Sequence, residues 1–381
     1  MYNILTLNKI SKFGLEKFDT SKYAYGDSFD APDAIMVRSA AMHDMELAAN
    51  TVAIARAGAG VNNIPVEACA EKGVVVFNTP GANANAVKEL VLCGLLISSR
   101  RVIDAIDWCK TLKGEGAAVG KLVEKGKSDF VGPEIEGKIL GVIGLGAIGN
   151  LVANAAVAIG MEVIGYDPFL SVNGAICLSP AVKVTSDIKE VIASSDYITL
   201  HVPFNDATKG LINTDSLANA KDGVRILNFA RGELVNSADI IAALESGKVS
   251  FYVTDFPNDE IIGVKGVIAI PHLGASTPES EDNCAKMAAA ELIDYLEKGI
   301  IRNSVNYPDV MLPNTFETRV CVLHKDAPGV QAAVTAAVGS AESIVSGTKK
   351  GYGYTVADIK GDIDSEKLKA IDGVVRVRVI K

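Results

Sequence analysis

The sequence predicts an α/β fold: doubly wound parallel sheets with helices on both faces, followed by a small βαββαβ module. Three observations predict it. Short apolar runs alternate with helical patterns through most of the 381 residues, the spacing of parallel strands joined by helical crossovers. One run, Gly141-Val-Ile-Gly-Leu-Gly-Ala-Ile-Gly149, turns on glycines directly into an apolar helical pattern. Beyond a boundary segment, residues 303–314, that carries Pro308 and Pro313, the composition shifts. At roughly 150 residues per domain the length suggests two to three domains.

Taken in order, residues 34–37, 52–55 and 74–77 read as strands of a first lobe, and a continuous helix is expected over 84–112, then a loop over 113–133. After the glycine turn, strands are expected at 161–167, 197–202, 224–229, 251–255 and 267–270, with a helix over 278–298. Residues 318–381 read strand, helix, two strands around Lys349-Lys-Gly351, helix, strand, which is a ferredoxin-like order. The expected domains are residues 1–85 with 283–312, residues 86–282, and a separable unit at 315–381. A chain stopped near Asn314 is therefore expected to keep its activity.

A formal charge of −9 argues against nucleic acid as a partner, because phosphate backbones are bound by basic patches. No apolar run reaches membrane-spanning length, and Met1-Tyr-Asn-Ile lacks the pattern of a signal peptide. A cytoplasmic protein is expected. The six cysteines are scattered, with no C-x-x-C pair and no histidine at ligand spacing, so reduced thiols and no metal are expected.

The glycine turn fits a dinucleotide. Gly144 allows the tight strand-to-helix turn, Gly146 lets the backbone approach a pyrophosphate, and Gly149 lets the helix pack on the sheet. The helix N-terminus offers N–H groups and partial positive charge to the anion. Asp167 ends the next strand 18 residues after Gly149, where a carboxylate accepts from ribose hydroxyls and repels a 2′-phosphate, favouring NAD over NADP.

Reading the later strand ends for polar side chains yields Arg231, Glu260 and His272. In an open parallel sheet these ends line the ligand crevice. Hydride transfer at C2 of a 2-hydroxy acid needs proton transfer at its oxygen, which histidine performs near neutral pH. A carboxylate beside the imidazole favours its protonated form, and arginine grips a substrate carboxylate bidentately. In the first lobe, Arg38 and Arg56 follow or end strands and form a pair suited to a phosphate dianion. His43 and His324 carry no such context.

Together, Arg38-Ser39, Arg56-Ala-Gly-Ala-Gly-Val61, Asn78-Thr-Pro-Gly-Ala-Asn83, the glycine turn, His201-Val-Pro203, Ala230-Arg-Gly232 and His272-Leu-Gly-Ala275 resemble the NAD-dependent D-2-hydroxyacid dehydrogenases. The resemblance covers about residues 30 to 300. It implies a Rossmann nucleotide lobe, a flavodoxin-like substrate lobe, and Arg231, Glu260 and His272 as the substrate-binding arginine, the supporting carboxylate and the acid/base. Asp255-Phe-Pro-Asn-Asp-Glu260 departs from the family's D-V-F-x-x-E-P pattern, and a one-residue deletion would hand the role of Glu260 to Asp259. Gly60-Val-Asn62-Asn63 departs from G-V-D-N. NAD contacts are implied at Gly144, Gly146, Ala147, Ile148, Gly149, Asp167, His201, Pro203, Ala230, Asp255 and Gly274, and substrate contacts at Arg38, Arg56 and Asn83.

The branch it most resembles implies oxidation of 3-phosphoglycerate to 3-phosphohydroxypyruvate on the route to L-serine. Alternatives are a glyoxylate or hydroxypyruvate reductase and, in another class, a non-catalytic NAD-sensing protein. The tail is similar to ACT domains through Lys325-Asp-Ala-Pro-Gly-Val330, with Asp326 where asparagine is usual. That implies L-serine as effector, and the long helix after Ala84 and the edge of the tail's sheet suggest a homodimer or homotetramer.

Overall fold

The computed structural model describes every residue except Pro313, Asn314 and Thr315. The expected boundary at 312–315 and the stop near Asn314 therefore lie outside the described residues. The chain divides into two compact units, residues 1–83 with 277–381 and residues 84–276. The C-terminal module falls in one unit with the first lobe.

That first unit opens with a parallel sheet of β1 (Tyr2–Leu7), β2 (Tyr23–Gly26), β3 (Ala34–Val37), β4 (Ala53–Arg56) and β5 (Val75–Phe77). Its order, β2-β1-β3-β4-β5, is the flavodoxin-like one. The first two strands were not foreseen: Asn3 and Thr6 interrupt the apolar run of β1, and β2 is only four residues long. Arg56 ends β4 and Arg38 directly follows β3.

The second unit is a parallel sheet of β6 (Ile139–Ile143), β7 (Glu162–Tyr166), β8 (Val182–Thr185), β9 (Tyr197–Leu200), β10 (Val224–Asn228), β11 (Val249–Thr254) and β12 (Val267–Ala269). The order β12-β11-β10-β9-β6-β7-β8 is that of a doubly wound Rossmann sheet with one strand added. Its central strands are buried along their length, because helices cover both faces. The helix expected over 84–112 is two helices, Ala84–Arg100 and Val102–Thr111. Arg101 breaks it with φ of +48° while its guanidinium bonds Asp104 and the Asp129 carbonyl. The loop expected over 113–133 contains the helix Val119–Gly126.

Back in the first unit, β13 (Thr318–Lys325), β14 (Ser343–Lys349), β15 (Tyr352–Ile359) and β16 (Val374–Ile380) form an antiparallel sheet in the order β14-β15-β13-β16. The hairpin between β14 and β15 turns on Lys350 and Gly351, both at positive φ, as a two-residue primed turn requires. Alternation along the strands gives the sheet two apolar faces. Val320, Val322, Ala357 and Ile359 pack with Val330, Val334 and Leu368 of the module's own helices. Cys321, Leu323, Tyr354 and Val356 instead join one core with Ile4, Met36, Ala289 and Leu292.

The helix Pro278–Lys298 connects these parts. Thr277 caps it, accepting from Ser280 N–H at 3.1 Å, proline follows, and Gly299 ends it at φ of +65°, the expected start and stop signals. A Cβ on Gly299 would also lie 2.4 Å from Cys321 Sγ. Its C-terminal carbonyls are capped by the module. Arg378 donates to Tyr295 and Leu296 at 3.2 and 3.0 Å, Arg319 to Lys298 at 2.7 Å, and Tyr354 to the Gly299 carbonyl at 2.6 Å. Arg319, fully buried, also grips Asp358 bidentately at 2.7 and 2.8 Å. Arg376 donates to the carbonyls of Thr51, Ala49 and Lys72 at 2.9 to 3.3 Å. On the same helix, burial pushes the Glu291 carboxyl up to about 8, so it is mostly protonated at neutral pH.

These contacts change the expectation for a shortened chain. Each buried aliphatic or aromatic side chain stabilises by about 1.5–3 kcal/mol, and a whole domain is stable by only about 5–15 kcal/mol. A chain stopped near Asn314 loses Cys321, Leu323, Tyr354 and Val356 from the shared core and the caps from the helix. We expect its thermal unfolding midpoint, followed by circular dichroism, to fall by more than about 10 °C or its cooperative transition to vanish; an unchanged midpoint would mark the module as dispensable.

Candidate functional site

In the second unit the glycine turn follows β6 and opens the helix Ala147–Ala158. Gly144 has φ of +95°, and a Cβ there would lie 2.6 Å from the His201 carbonyl oxygen. A Cβ on Gly149 would lie 1.8 Å from the Gly144 carbonyl oxygen, so the helix approaches the strand too closely for any other residue. At Gly146 nothing stands within 4 Å of the Cβ position. This residue caps the helix without a side-chain bond, and the first turn, which includes Ala147 and Ile148, holds no acid. Orphan N–H groups, the helix dipole and an open face form a cradle that fits a pyrophosphate.

Asp167, just beyond β7, accepts from Leu145 N–H at 2.9 Å and Phe169 N–H at 2.8 Å. It therefore braces the turn, and each oxygen keeps lone-pair capacity for ribose hydroxyls. His201 follows β9. Its Nε2 lies 2.9 Å from Thr199 Oγ1, while Nδ1 is buried without a hydrogen-bond partner among the described residues. Desolvation pushes its pKa down to about 3, leaving a neutral ring. Pro203 is exposed two residues on.

The ends of β10, β11 and β12 carry the remaining polar groups of this unit. Asn228 folds the loop after β10: its side chain donates to the Arg231 carbonyl at 2.8 Å and accepts from Ala230 N–H at 3.2 Å. Arg231 is exposed, and its Nη1 donates to the Ala230 carbonyl at 2.6 Å. Asp255 is fully buried, and its Oδ2 accepts from Gly274 N–H at 2.9 Å while Oδ1 has no hydrogen-bond partner among the described residues. Burial raises its pKa, against the opposing effects of the Gly274 N–H and of His272. An orphaned buried acceptor beside the loop that carries His272 fits a carboxamide donor.

His272 is exposed, with its ring 4.7 Å from that of Phe256. Among the described residues Glu260 forms no hydrogen bond or ion pair with it. Glu260 and Asp259 both sit exposed on a turn anchored by Asn258, whose side chain accepts from Ile261 N–H at 3.1 Å and donates to Ser237 Oγ at 3.0 Å. The structure thus draws Asp255, Gly274 and the His272 loop together and leaves the expected carboxylate–imidazole pair unmade. Sequence reading misses Asn228 and Asn258, for which only a place at the end of or beyond a strand hints at a loop-folding role.

In the first unit Arg38 and Arg56 stand at the ends of neighbouring strands, Val37 pairing with Arg56. Arg56 Nε donates to the Arg38 carbonyl at 3.1 Å. A Cβ on Gly58 would lie 2.4 Å from Arg56 Nη1, so glycine makes room for the folded-back guanidinium. Asn78 donates to the Ala59 carbonyl at 2.5 Å, and Asn83 is half-buried. Arg38 Nη2 bonds Glu281 Oε1 at 2.7 Å, a partner that sequence reading missed because 243 residues separate them.

Residues 93–274 match the family model described as D-isomer specific 2-hydroxyacid dehydrogenase, NAD binding domain. The chain is 36% identical over 295 residues to the D-3-phosphoglycerate dehydrogenase of Archaeoglobus fulgidus, covering 75% of this chain and 53% of that protein. It is 33% identical over 356 residues to that of Haemophilus influenzae, covering 88% and 83%. The chain thus spans about half the length of the archaeal relative and most of the bacterial one. Among solved structures it resembles an NAD+-bound 3-phosphoglycerate dehydrogenase of Entamoeba histolytica, with a TM-score of 0.62 at 26% identity over 80% of this chain and 98% of that one. A glyoxylate reductase from Paecilomyes thermophila has a TM-score of 0.65 at 25% identity, over 80% and 98%.

Asp167→Ala should raise KM for NAD and narrow the preference over NADP, because the repulsion of a 2′-phosphate goes with the carboxylate. Initial rates with both cofactors check it; a rise in both KM values by the same factor would mean that only the brace on Leu145 was lost.

Proposed function

Because the chain belongs to the D-isomer-specific 2-hydroxyacid dehydrogenase family, we propose that it is an NAD-dependent oxidoreductase that oxidises 3-phosphoglycerate to 3-phosphohydroxypyruvate. The observation that carries the substrate is the arginine pair at the ends of β3 and β4, braced by the bond between them. In a chain of net charge −9 such a pair has a use where an anion must be held. The relatives named D-3-phosphoglycerate dehydrogenase support the same substrate.

NAD supplies the hydride acceptor; the glycine turn, Asp167 and Asp255 would hold it. In this reading His272 takes the proton from the C2 hydroxyl as the hydride leaves, so no alkoxide has to form unaided. Arg231, its guanidinium fork unpaired with any acid among the described residues, holds the substrate carboxylate. Arg38 and Arg56 take the phosphate, and Asn83 is a further substrate contact. Glu260, or Asp259, stabilises the imidazolium when substrate orders the turn that carries both. The exposed side chains of Val102, Ile103 and Ile106 on one helix suit a homodimer contact. The loop Lys325–Val330 is the place for L-serine as effector.

A reductase for glyoxylate or another unphosphorylated acid is the second reading, supported by the glyoxylate reductase likeness and by the carboxylate that already pairs Arg38. Rates of NADH formation on 3-phosphoglycerate, D-glycerate and D-lactate separate the two. Arg38→Ala should raise KM for 3-phosphoglycerate about tenfold or more and that for D-glycerate far less. Equal effects on both would remove the phosphate role.

His272→Ala should lower kcat on the order of 10²-fold or more with NAD binding retained, as measured by fluorescence titration. In the same assay Glu260→Gln should move the pH–rate profile and Asp259→Asn should not; the reverse result assigns the supporting carboxylate to Asp259.

A further inference from the structure

Glu281 lies in the first turn of the helix Pro278–Lys298, whose N-terminal partial charge attracts a carboxylate. Its Oε1 takes Nη2 of Arg38 at 2.7 Å, a terminal nitrogen of the guanidinium through which a phosphate would be bound bidentately. Both side chains are about two-fifths exposed, at 42% and 43%, and exposed ion pairs of this kind are weak. The pair can therefore open. Charge balance points the same way: the Arg38 guanidinium offers a positive charge to a phosphate, and the Glu281 carboxylate offsets it.

We propose that Glu281 sets selectivity at the phosphate subsite: its carboxylate holds Arg38 while no phosphate is present, and substrate phosphate must displace it. Glu281 thus restrains binding of the phosphorylated acid and acts through Arg38. The proposal rests on the phosphate-binding reading of Arg38 and Arg56 given above. A carboxylate close to a dianion is repelled even through water, and salt weakens that repulsion. An unphosphorylated acid has no charge at this end and escapes the penalty.

The test compares kcat/KM for 3-phosphoglycerate with kcat/KM for D-glycerate in the wild type, Glu281→Gln, Arg38→Ala and the double variant, at low and high ionic strength. Glu281→Gln should raise the ratio about 3- to 10-fold at low salt, through KM rather than kcat, and less at high salt. In the Arg38→Ala background the same change should have little effect, since the residue it acts through is gone. A ratio that stays constant overturns the proposal. A ratio that falls also overturns it and makes Glu281 a support that orients Arg38. An equal rise without Arg38 overturns the route through that residue. Failure of the underlying reading looks different: Arg38→Ala alone would then leave the ratio unmoved. A thermal midpoint for Glu281→Gln and Glu281→Ala within a few degrees of the wild type excludes a merely structural effect on the helix.

Discussion

The first unit depends on how the helix Pro278–Lys298 is terminated. Its last carbonyls are bonded by Arg378, Arg319 and Tyr354 from the C-terminal sheet, so a helix end that would otherwise need water is satisfied inside the protein. Cations at that end also meet the negative pole of the helix. The buried face of the helix, from Ala285 to Leu296, lies in the same core as Met36, Phe77 and Tyr354. A 21-residue helix spans roughly 30 Å, and its opposite end carries Glu281 against Arg38.

The nucleotide unit is governed by close approach. Gly149 packs against the Gly144 carbonyl and Gly144 against that of His201, at separations that no Cβ tolerates. What remains at Gly146 is an open, uncapped helix start. Nδ1 of His201 and Oδ1 of Asp255, both buried without partners among the described residues, mark the polar lining near the strand ends. Orphaned buried polar atoms are costly, and their placement beside the cradle and the His272 loop is what a bound dinucleotide would explain.

The candidate side chains of the two units differ in what already engages them. Arg231, Glu260 and His272 are exposed and form no ion pair with one another among the described residues. The groups suited to phosphate are already engaged, Arg56 with the Arg38 carbonyl and Arg38 with Glu281. A phosphate bound there would have to compete with Glu281 for one guanidinium.

The sequence by itself determined the doubly wound class, the bounds of the helix Pro278–Lys298, the glycine turn and the order of the C-terminal module, because these rest on local signals: periodicity, caps and residues that permit positive φ. It also singled out Arg38, Arg56, Arg231 and His272, since each stands next to a strand end. It did not reveal β1, whose polar residues break the apolar run, or the break at Arg101, where a left-handed residue interrupts an unbroken helical pattern. Only the tertiary structure decided that the C-terminal sheet shares a core with the first lobe, that Glu281 meets Arg38, and that the Glu291 carboxyl is pushed up by burial. Those facts depend on burial and on contacts between residues far apart in the chain, and neither leaves a periodic trace along it.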